Sequence, residues 1–350
     1  MKKILAVLIP VVAISFAILG WNWYTDNRKP NFDGSATLYI RPGDTPQDAV
    51  RQIREQCGII NEASLERVFK AKEVERYITP GCYTITKDNS SVYVARMLNN
   101  GWQSPVRLTL SGNLRIKANI AAKISSQLLL DSAVVHKALD DAQLLSRYGF
   151  TPQNVFSLLV PDTYDVYWTA SVEDILDKQK HSYDAFWTED NLAKAGKIGL
   201  TPLQVSILAS IVKGESNYAP EMPKIAGVYL NRLKIGMPLQ ADPTIAFCYD
   251  YKLQRILRRH LEVDSPYNTY KHAGLPPGPI CVPTRESLDA VLNPDYGASG
   301  PGASGCNLYF CANPDFSGTH VFASTLSAHN ANAAAFQREL TRRQRANRNK

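Results

Sequence analysis

One glutamate stands out in this chain because its spacing places it on the apolar face of a predicted helix. The segment 201–216 opens with TPLQ, which offers a capping threonine, a proline at the first helical position and a glutamine that completes a capping box. An apolar stripe continues at helical spacing from Leu208 to Glu215. Burial would raise the pKa of Glu215 and let it act as a general acid. The alternative is a side chain at a fraying helix end that points to water.

Polar and aromatic residues follow this helix in turn-rich segments, in a pattern that suits a sugar ligand. Amides and hydroxyls supply directional hydrogen bonds, and flat rings stack on sugar faces. The candidate substrate-binding residues are Asn231, Gln240, Asp242, Thr244, Asn268, Tyr270, Pro277 and His320. Three of them have structural alternatives: Asn231 as a cap, Asp242 in an Asx turn, and His320 as a hydrogen-bonded structural histidine.

The segments that carry these residues resemble the YceG-type (MltG) family of membrane-anchored endolytic peptidoglycan transglycosylases. The matching segments are ASIVKGES (209–216), VYLNRL (228–233), IGM (235–237), LQADPT (239–244), YNTY (267–270), GLPPGPI (274–280), HVF (320–322) and HN (329–330). The resemblance extends from the apolar amino-terminal run to about Leu340. Several motifs in the family's order are far more specific than any one of them.

The resemblance implies that Glu215 is the catalytic residue. One departure from the family lies directly beside it, because this chain has Lys213-Gly214 where the family commonly has Glu-Lys. A glycine inside a helix costs about 1 kcal/mol relative to alanine. The departure therefore raises the question of how rigid the helix end is and how strong the acid is.

The activity that the resemblance implies is lytic transglycosylation. Protonated Glu215 would donate to the glycosidic oxygen between N-acetylmuramic acid (MurNAc) and N-acetylglucosamine (GlcNAc). The resulting carboxylate would take the proton of the muramyl C6 hydroxyl, which closes on C1 and leaves a 1,6-anhydro end. An ordinary glycosidase needs a second carboxylate, for which Asp242 and Glu221 are candidates. We interpret Asp242 as structural or substrate-positioning, since an internal nucleophile makes a second acid unnecessary.

Other function classes fit parts of the same pattern. A peptidoglycan hydrolase would use Asp242 or Glu221 to activate water. A non-catalytic wall-binding scaffold of the synthesis machinery would need no acid at all. A cytoplasmic enzyme related to aminodeoxychorismate lyase disagrees with the features of export described next. The resemblance also suggests a role in ending glycan elongation, with glycan strands and peptidoglycan synthases as partners.

The amino-terminal region predicts a membrane anchor. Residues 4–21 form an uncharged apolar run, preceded by Lys2 and Lys3 and followed by tryptophan and tyrosine residues. Bulky side chains crowd the place where a cleavage site would lie, so an uncleaved anchor is favoured over a cleaved signal peptide. We therefore expect a single-pass protein of the cytoplasmic (inner) membrane. Its amino terminus would be in the cytoplasm and its catalytic domain on the periplasmic or extracellular side.

The cysteines and histidines offer no metal-binding pattern. The sequence has no C-x-x-C, and none of its six histidines pairs with another at helical ligand spacing, so we expect no metal and no cofactor. All six cysteines follow the anchor, as expected for an exported chain. Neighbourhood suggests the pairs Cys57–Cys82, Cys248–Cys281 and Cys306–Cys311. Sequence does not choose among the possible pairings, and free buried thiols remain the alternative.

The net charge of +7 belongs to the two ends of the chain. Residues 337–350 carry six basic side chains against Glu339, and Lys2 and Lys3 supply the remainder. The body is close to neutral and has no basic stripe with interleaved aromatic residues. These features argue against a nucleic-acid partner.

The predicted fold class is α+β. A small LysM-like βααβ module precedes a mixed α/β catalytic domain, behind one transmembrane helix. The expected parts are residues 1–24 as cytoplasmic stub and anchor, 25–35 as linker, 36–105 as LysM-like module, 106–158 as connecting strand and helices, 159–340 as catalytic domain and 341–350 as basic tail. Helices are expected over 116–130, 132–145, 172–186 and 221–233, besides the helix that carries Glu215.

Overall fold

The computed structural model describes residues 2–348, with side chains described from Leu8 to Ala346. Contacts between residues divide the chain into two compact units. The first contains the residues up to 108 together with 126–130 and 164–171, and the second contains the other residues. Each unit has its own buried apolar core.

The first unit is built on an antiparallel pair of strands packed with helices. Its elements are α1 Lys2–Asn27, β1 Ala36–Ile40, α2 Pro46–Gln56, α3 Glu62–Ala71, α4 Val74–Tyr77, β2 Gly81–Ile85 and α5 Ser91–Asn99. Strands β1 and β2 pair in a register that sets Leu38 opposite Tyr83, and both side chains are fully buried. Helix α2 contacts β1 and buries Ala49 and Ile53, which lie one turn apart on its apolar face. The two predicted strands and the two predicted helices between them are present, but the short helix α4 is added before β2. The likeness to a LysM unit remains a prediction.

Helix α1 is a candidate membrane-spanning element. The stretch Leu8–Asn27 is long and apolar enough to cross a membrane, and few of its side chains are buried within the protein. A signal sequence meets the same requirement of length and composition. The helix alone therefore establishes neither a membrane location nor a topology.

The last turn of α1 is tied to the first unit, which changes the expected linker. Asp26 accepts hydrogen bonds from the Arg67 guanidinium at 2.6 Å and from the Ser64 hydroxyl at 2.7 Å. Phe32, a few residues later, is 2% exposed and belongs to the core of this unit. The predicted linker 25–35 thus begins inside a helix and includes a core residue, because side-chain contacts that the sequence does not reveal fix both.

Two short strands follow, β3 Val106–Thr109 and β4 Thr163–Val166, and they pair with each other. The first matches a predicted strand. No strand was predicted at the second, although Tyr164 and Val166 are buried while Asp165 between them is exposed. Such short alternation becomes a strand only when a partner strand is present.

The second unit is mainly helical. Its further elements are α6 Lys117–Ser125, α7 Ser132–Ala138, α8 Ala142–Ser146, α9 Val172–Phe186, α10 Glu189–Ile198, α11 Pro202–Glu215, α12 Met222–Lys234, α13 Asp242–Cys248, α14 Arg285–Leu292, β5 Tyr309–Ala312, β6 His320–Ala323 and α15 Leu326–Arg348. Strands β5 and β6 are antiparallel, with Phe310 opposite Phe322. Helix α11 contacts α12, α13 and α14, and its residues 205–212 are all buried. The predicted capping box of Thr201 and Gln204 is confirmed at its start.

Two helix predictions needed correction, and a third was confirmed to within one residue at each end. Helix α6 ends at Ser125, five residues before the predicted end at 130. The helix expected over 132–145 is interrupted, because the Asp141 carboxylate accepts from the backbone N–H of Gln143 and Leu144 and so caps a new helix. The helix expected over 221–233 is α12, which begins at Met222 after a short 3-10 turn that ends at Glu221.

The expected basic tail 341–350 is part of a long helix as far as Arg348, while residues 349–350 lie outside the described residues. Glu339 pairs with Arg342 at 2.7 Å and with Arg343 at 2.9 Å. These i,i+3 and i,i+4 pairs favour helix over a disordered end.

The mixture of helices and small sheets confirms the mixed α/β character.

The six cysteines are all free thiols in this structure. The suggested pairs Cys57–Cys82, Cys248–Cys281 and Cys306–Cys311 are therefore not formed in it. Cys82, Cys281 and Cys306 are buried, which corresponds to the alternative of free buried thiols.

Candidate active site

Glu215 is the last residue of α11, and its side chain points toward α12. The Tyr229 hydroxyl donates a hydrogen bond of 2.5 Å to Glu215 Oε1. The residue keeps some solvent-accessible surface, although protein atoms crowd around its carboxyl group. Burial raises the pKa of this carboxyl to about 7, and the charge of Asp242 acts in the same direction. The Tyr229 hydrogen bond and the charge of Arg232 lower it, so the group is poised to both give and accept a proton near neutral pH.

Two residues of α12 that the sequence analysis did not place in the site surround this carboxyl. Tyr229 is 1% exposed and packs edge-on against Phe310 at 5.9 Å between ring centroids. Arg232 lies one turn further along α12, and it donates to the carbonyl oxygens of Leu308 at 2.7 Å and Leu239 at 2.6 Å. The sequence does contain a signal for these two residues, because a tyrosine and an arginine lie one turn apart on an otherwise apolar helix face.

Gly214 is required by close packing between helices. A Cβ atom added there would lie 2.6 Å from Cβ of Pro243 in α13 and 3.5 Å from Cδ1 of Ile280. Distances below 3.0 Å between such atoms require a shift of the structure. The glycine thus lets the last turn of α11 approach α13, which gives its presence in the helix a packing reason despite its low helix propensity.

Asp242 and Tyr270 lie near Glu215 and are joined to each other. The Tyr270 hydroxyl donates to Asp242 Oδ1 at 2.6 Å. Burial raises the pKa of Tyr270, and the charges of Asp242 and Glu215 raise it further, so the three groups share one electrostatic environment. Asp242 is exposed at the first position of α13, where it does not form the Asx turn considered above.

Gln240 and Pro277 are exposed and have side chains free to meet a ligand. The backbone of Gln240 has a positive φ of 49°, and its N–H donates to the Thr269 carbonyl at 3.1 Å. This hydrogen bond fixes the loop between α12 and α13 while the side chain faces outward. Both residues remain candidates for substrate contact.

Three of the predicted substrate-binding residues are instead buried with their polar atoms occupied. Asn231 donates to the carbonyls of Asn307 and Tyr296 and accepts from the N–H of Gly302. These bonds attach α12 to the segment before β5. Because an unmet backbone group inside a protein is costly, this amide is structural.

Thr244 and Asn268 show the same kind of arrangement. The Thr244 hydroxyl bonds to the Ala241 carbonyl and to the Thr269 hydroxyl. The Asn268 amide donates to the carbonyls of Leu261 and Val263, each at 2.8 Å. Their side chains therefore hold loops together, and contact with a substrate is not open to them in this structure.

His320 begins β6 and is bound by the carboxylate of Glu221. The His320 backbone N–H donates to Glu221 Oε1 at 2.6 Å, and His320 Nδ1 lies 2.8 Å from Glu221 Oε2. A carboxylate partner favours the tautomer with the proton on Nδ1, which leaves Nε2 as an acceptor. The His320 ring also packs edge-on against Phe310, the ring that contacts Tyr229. The Phe310 ring thus lies between His320 and the Tyr229–Glu215 pair.

Within residues 2–348, no group of three or more His, Cys, Asp or Glu side chains is arranged to hold a metal ion.

Comparison with known proteins places these features in a family. The profile of the YceG-like family matches residues 38–335. That span covers most of the 350 residues, and the chain belongs to this family.

Individual relatives agree with the family assignment. The endolytic murein transglycosylase of Bacillus subtilis is 30% identical over 319 residues, which is 85% of this chain and 84% of the relative. The endolytic murein transglycosylase of Streptococcus pneumoniae is 24% identical over 348 residues, 90% of this chain but only 61% of the longer relative. The crystal structure of a YceG-like protein from Listeria monocytogenes is similar with a TM-score of 0.55 at 26% identity, over 85% of this chain and 98% of that one.

Proposed function

We propose that this protein is a lytic transglycosylase that cleaves the bond between MurNAc and GlcNAc within peptidoglycan strands and leaves a 1,6-anhydroMurNAc end. The observation that carries the proposal is the carboxyl of Glu215, whose pKa burial raises to about 7 beside a partner that can stabilise its ionised form. The names of the bacterial relatives support the reaction class. Lytic transglycosylation needs one group that serves first as acid and then as base, and Glu215 meets that need.

In the first step, protonated Glu215 donates its proton to the glycosidic oxygen. The bond from that oxygen to C1 of MurNAc breaks, GlcNAc leaves with the proton, and positive charge develops at C1. Asp242 and the crowded surroundings of the carboxyl favour its protonated form before this step. Glu215 Oε1 accepts from Tyr229, so Oε2 is the oxygen free to reach the substrate.

In the second step, the Glu215 carboxylate accepts the proton of the C6 hydroxyl of the same MurNAc. The C6 oxygen forms the new bond to C1, and Glu215 is protonated again, this time by the proton of the C6 hydroxyl. The Tyr229 hydroxyl and the Arg232 charge stabilise the carboxylate between the two steps, since both lower the pKa of Glu215. No water molecule is consumed in these two steps.

The competing hydrolase needs a second carboxylate to activate water. Glu221 is poorly suited, because its side chain is 6% exposed and both of its oxygens bind His320. Asp242 is exposed but already accepts from Tyr270. The contacts of Glu221 favour a positioning role for it, and the product test described next separates a positioning role of Asp242 from a role as the base that activates water.

Mass spectrometry of the products tests the reaction type. Uncross-linked glycan strands incubated with the protein in ¹⁸O-labelled water should yield anhydro ends that carry no label. Reducing ends that contain ¹⁸O would show hydrolysis and overturn the transglycosylase proposal.

We further propose that the protein acts at the outer face of the cytoplasmic membrane and ends the elongation of new strands. Helix α1 would hold it there, and residues 159–340 would form the catalytic domain, since Glu215 and the partners described above all lie within that range. The LysM-like interpretation of residues 36–105 would give these strands a second binding surface. A pulse-labelled cell wall should contain longer strands when Glu215 is replaced by glutamine, and unchanged strand length would contradict this role.

A further inference from the structure

A cavity of about 550 Å³ lies in the second unit beside the carboxyl-terminal end of α11. Its wall includes the loop 111–115, Lys213 and Gly214 of α11, and Asn217 just beyond that helix. Glu215 is not among the described residues that line it, because the Glu215 carboxyl is directed toward Tyr229. The cavity is thus a separate space next to the proposed catalytic group.

The charged side chains that line this cavity are both positive. They are Arg115 and Lys213, and the described lining contains no aspartate or glutamate. Both act on the Cys281 thiol, which also lines the cavity: burial raises the pKa of Cys281 to about 12, and the two nearby cations oppose that rise. Within the described part of the chain neither cation forms an ion pair with an acidic side chain. Two cations that line one cavity without an acidic side chain to balance them favour the binding of an anion there.

Neighbouring groups hold the two cations in place. The Arg115 guanidinium stacks over the Tyr251 ring at 5.1 Å from its centroid, and the Tyr251 hydroxyl donates to the Ile280 carbonyl at 2.6 Å. Lys213 Nζ donates to Asn217 Oδ1 at 2.7 Å. Less side-chain entropy is therefore lost when an anion binds than at two freely moving surface cations.

We propose that this cavity binds a carboxylate of the peptide branch that MurNAc carries, so that the protein recognises strands by their peptide stems as well as by their sugars. The inference rests on the proposed function. Lys213 and Gly214 directly precede Glu215, so a branch bound here belongs to a sugar close to the cleaved bond. A volume of about 550 Å³ suits a short peptide segment rather than a single ion.

Reversal of the charge at position 213 would remove this recognition. A glutamate beside Arg115 would neutralise the cavity and remove its attraction for a carboxylate.

The test is a binding measurement with the full chain carrying Glu215→Gln, so that no cleavage interferes. Uncross-linked strands with intact peptide stems are compared with strands from which an amidase has removed the stems. Removal of the stem frees a carboxylate on the lactyl group of each MurNAc, which in the intact strand forms the amide bond to the peptide. A preference for stem-bearing strands would therefore come from the peptide itself, and the substitutions below test the part played by its charge. Stem-bearing strands should bind about tenfold more tightly, as expected for a charge-assisted contact at two cations.

Adding Arg115→Gln together with Lys213→Gln should abolish this tenfold preference, and Lys213→Glu should do the same on its own. Lys178→Gln is the matched control, because it removes a positive charge from an exposed position of α9 and should keep the preference. A preference that survives the double substitution, or none in the parent chain, overturns the proposal. Because binding is read without turnover, failure of the proposed cleavage reaction would appear separately, as a chain with Glu215 intact that cuts neither kind of strand.

Discussion

The groups around Glu215 have opposing effects on its pKa. Burial and Asp242 raise its pKa, whereas Tyr229 and Arg232 lower it, and the result of about 7 lies between the values for a free carboxylic acid and a fully enclosed one. A group with these properties is protonated often enough to serve as acid and ionised easily enough to serve as base.

The first prediction concerns Tyr229→Phe, which removes the hydrogen bond that lowers the pKa of Glu215. The descending limb of the pH–rate profile should move upward by about one pH unit, and kcat should fall roughly tenfold because the carboxylate loses its partner. Tyr218→Phe, at an exposed tyrosine, is the control and should change neither. A profile that does not move would show that Tyr229 has no influence on the acid.

The second prediction is a stability effect of Glu215→Gln. The folded pKa of Glu215 is raised from 4.5 to about 7, so the folded state binds a proton that the unfolded chain releases across this range. Stability of the wild type therefore falls as pH rises from about 4.5 to 7, and the glutamine variant lacks this loss. In urea unfolding, the stability of the variant relative to wild type should rise by about 3 kcal/mol between pH 4 and pH 8, because each pKa unit corresponds to about 1.4 kcal/mol. An equal difference at both pH values would contradict the raised pKa.

At the scale of elements, the approach of α11 to α12 and α13 builds the site. The contact with α12 brings Tyr229 and Arg232 to Glu215, and the contact with α13 brings Asp242 beside them. Gly214 makes the second approach possible because it has no side chain to meet Pro243.

Gly214→Ala tests this close approach. The added Cβ would lie 2.6 Å from a rigid proline ring, so we expect a loss of about 1–3 kcal/mol in unfolding free energy and a lower cleavage rate. Gly196→Ala in α10 is the matched control, since nothing lies within 4 Å of its added Cβ and alanine favours the helix. Thermal or urea unfolding of the two variants gives the comparison. If Gly214→Ala were as stable as Gly196→Ala, close packing at α13 would not be the reason for the glycine.

The local sequence was sufficient to predict several of these helices. The TPLQ start of α11 and the bounds of α9 were predictable, because caps and helical periodicity are short-range. Strands β4, β5 and β6 were not predicted, since strands of four residues depend on distant partners. The roles of Asn231 and Asn268 were also hidden, because the carbonyl groups that they satisfy lie in other loops.

The whole chain forms two units with separate cores, and the apolar helix α1 belongs to the first of them. An uncleaved anchor keeps that helix in the mature protein, whereas a signal peptide loses it. Intact mass spectrometry of protein extracted from membranes should show a chain that retains residues 1–24. A mature chain that begins near residue 25 would establish a cleaved signal and remove the anchor from the proposed topology.

The most direct test of the central role of Glu215 compares the wild type with Glu215→Gln on uncross-linked glycan strands. The amide keeps the size of the side chain but cannot deliver or accept the catalytic proton. We predict that the variant folds and binds glycan like the wild type yet forms no 1,6-anhydro ends above background. Anhydro ends formed by the variant at the wild-type rate would contradict the assignment of Glu215 as acid and base.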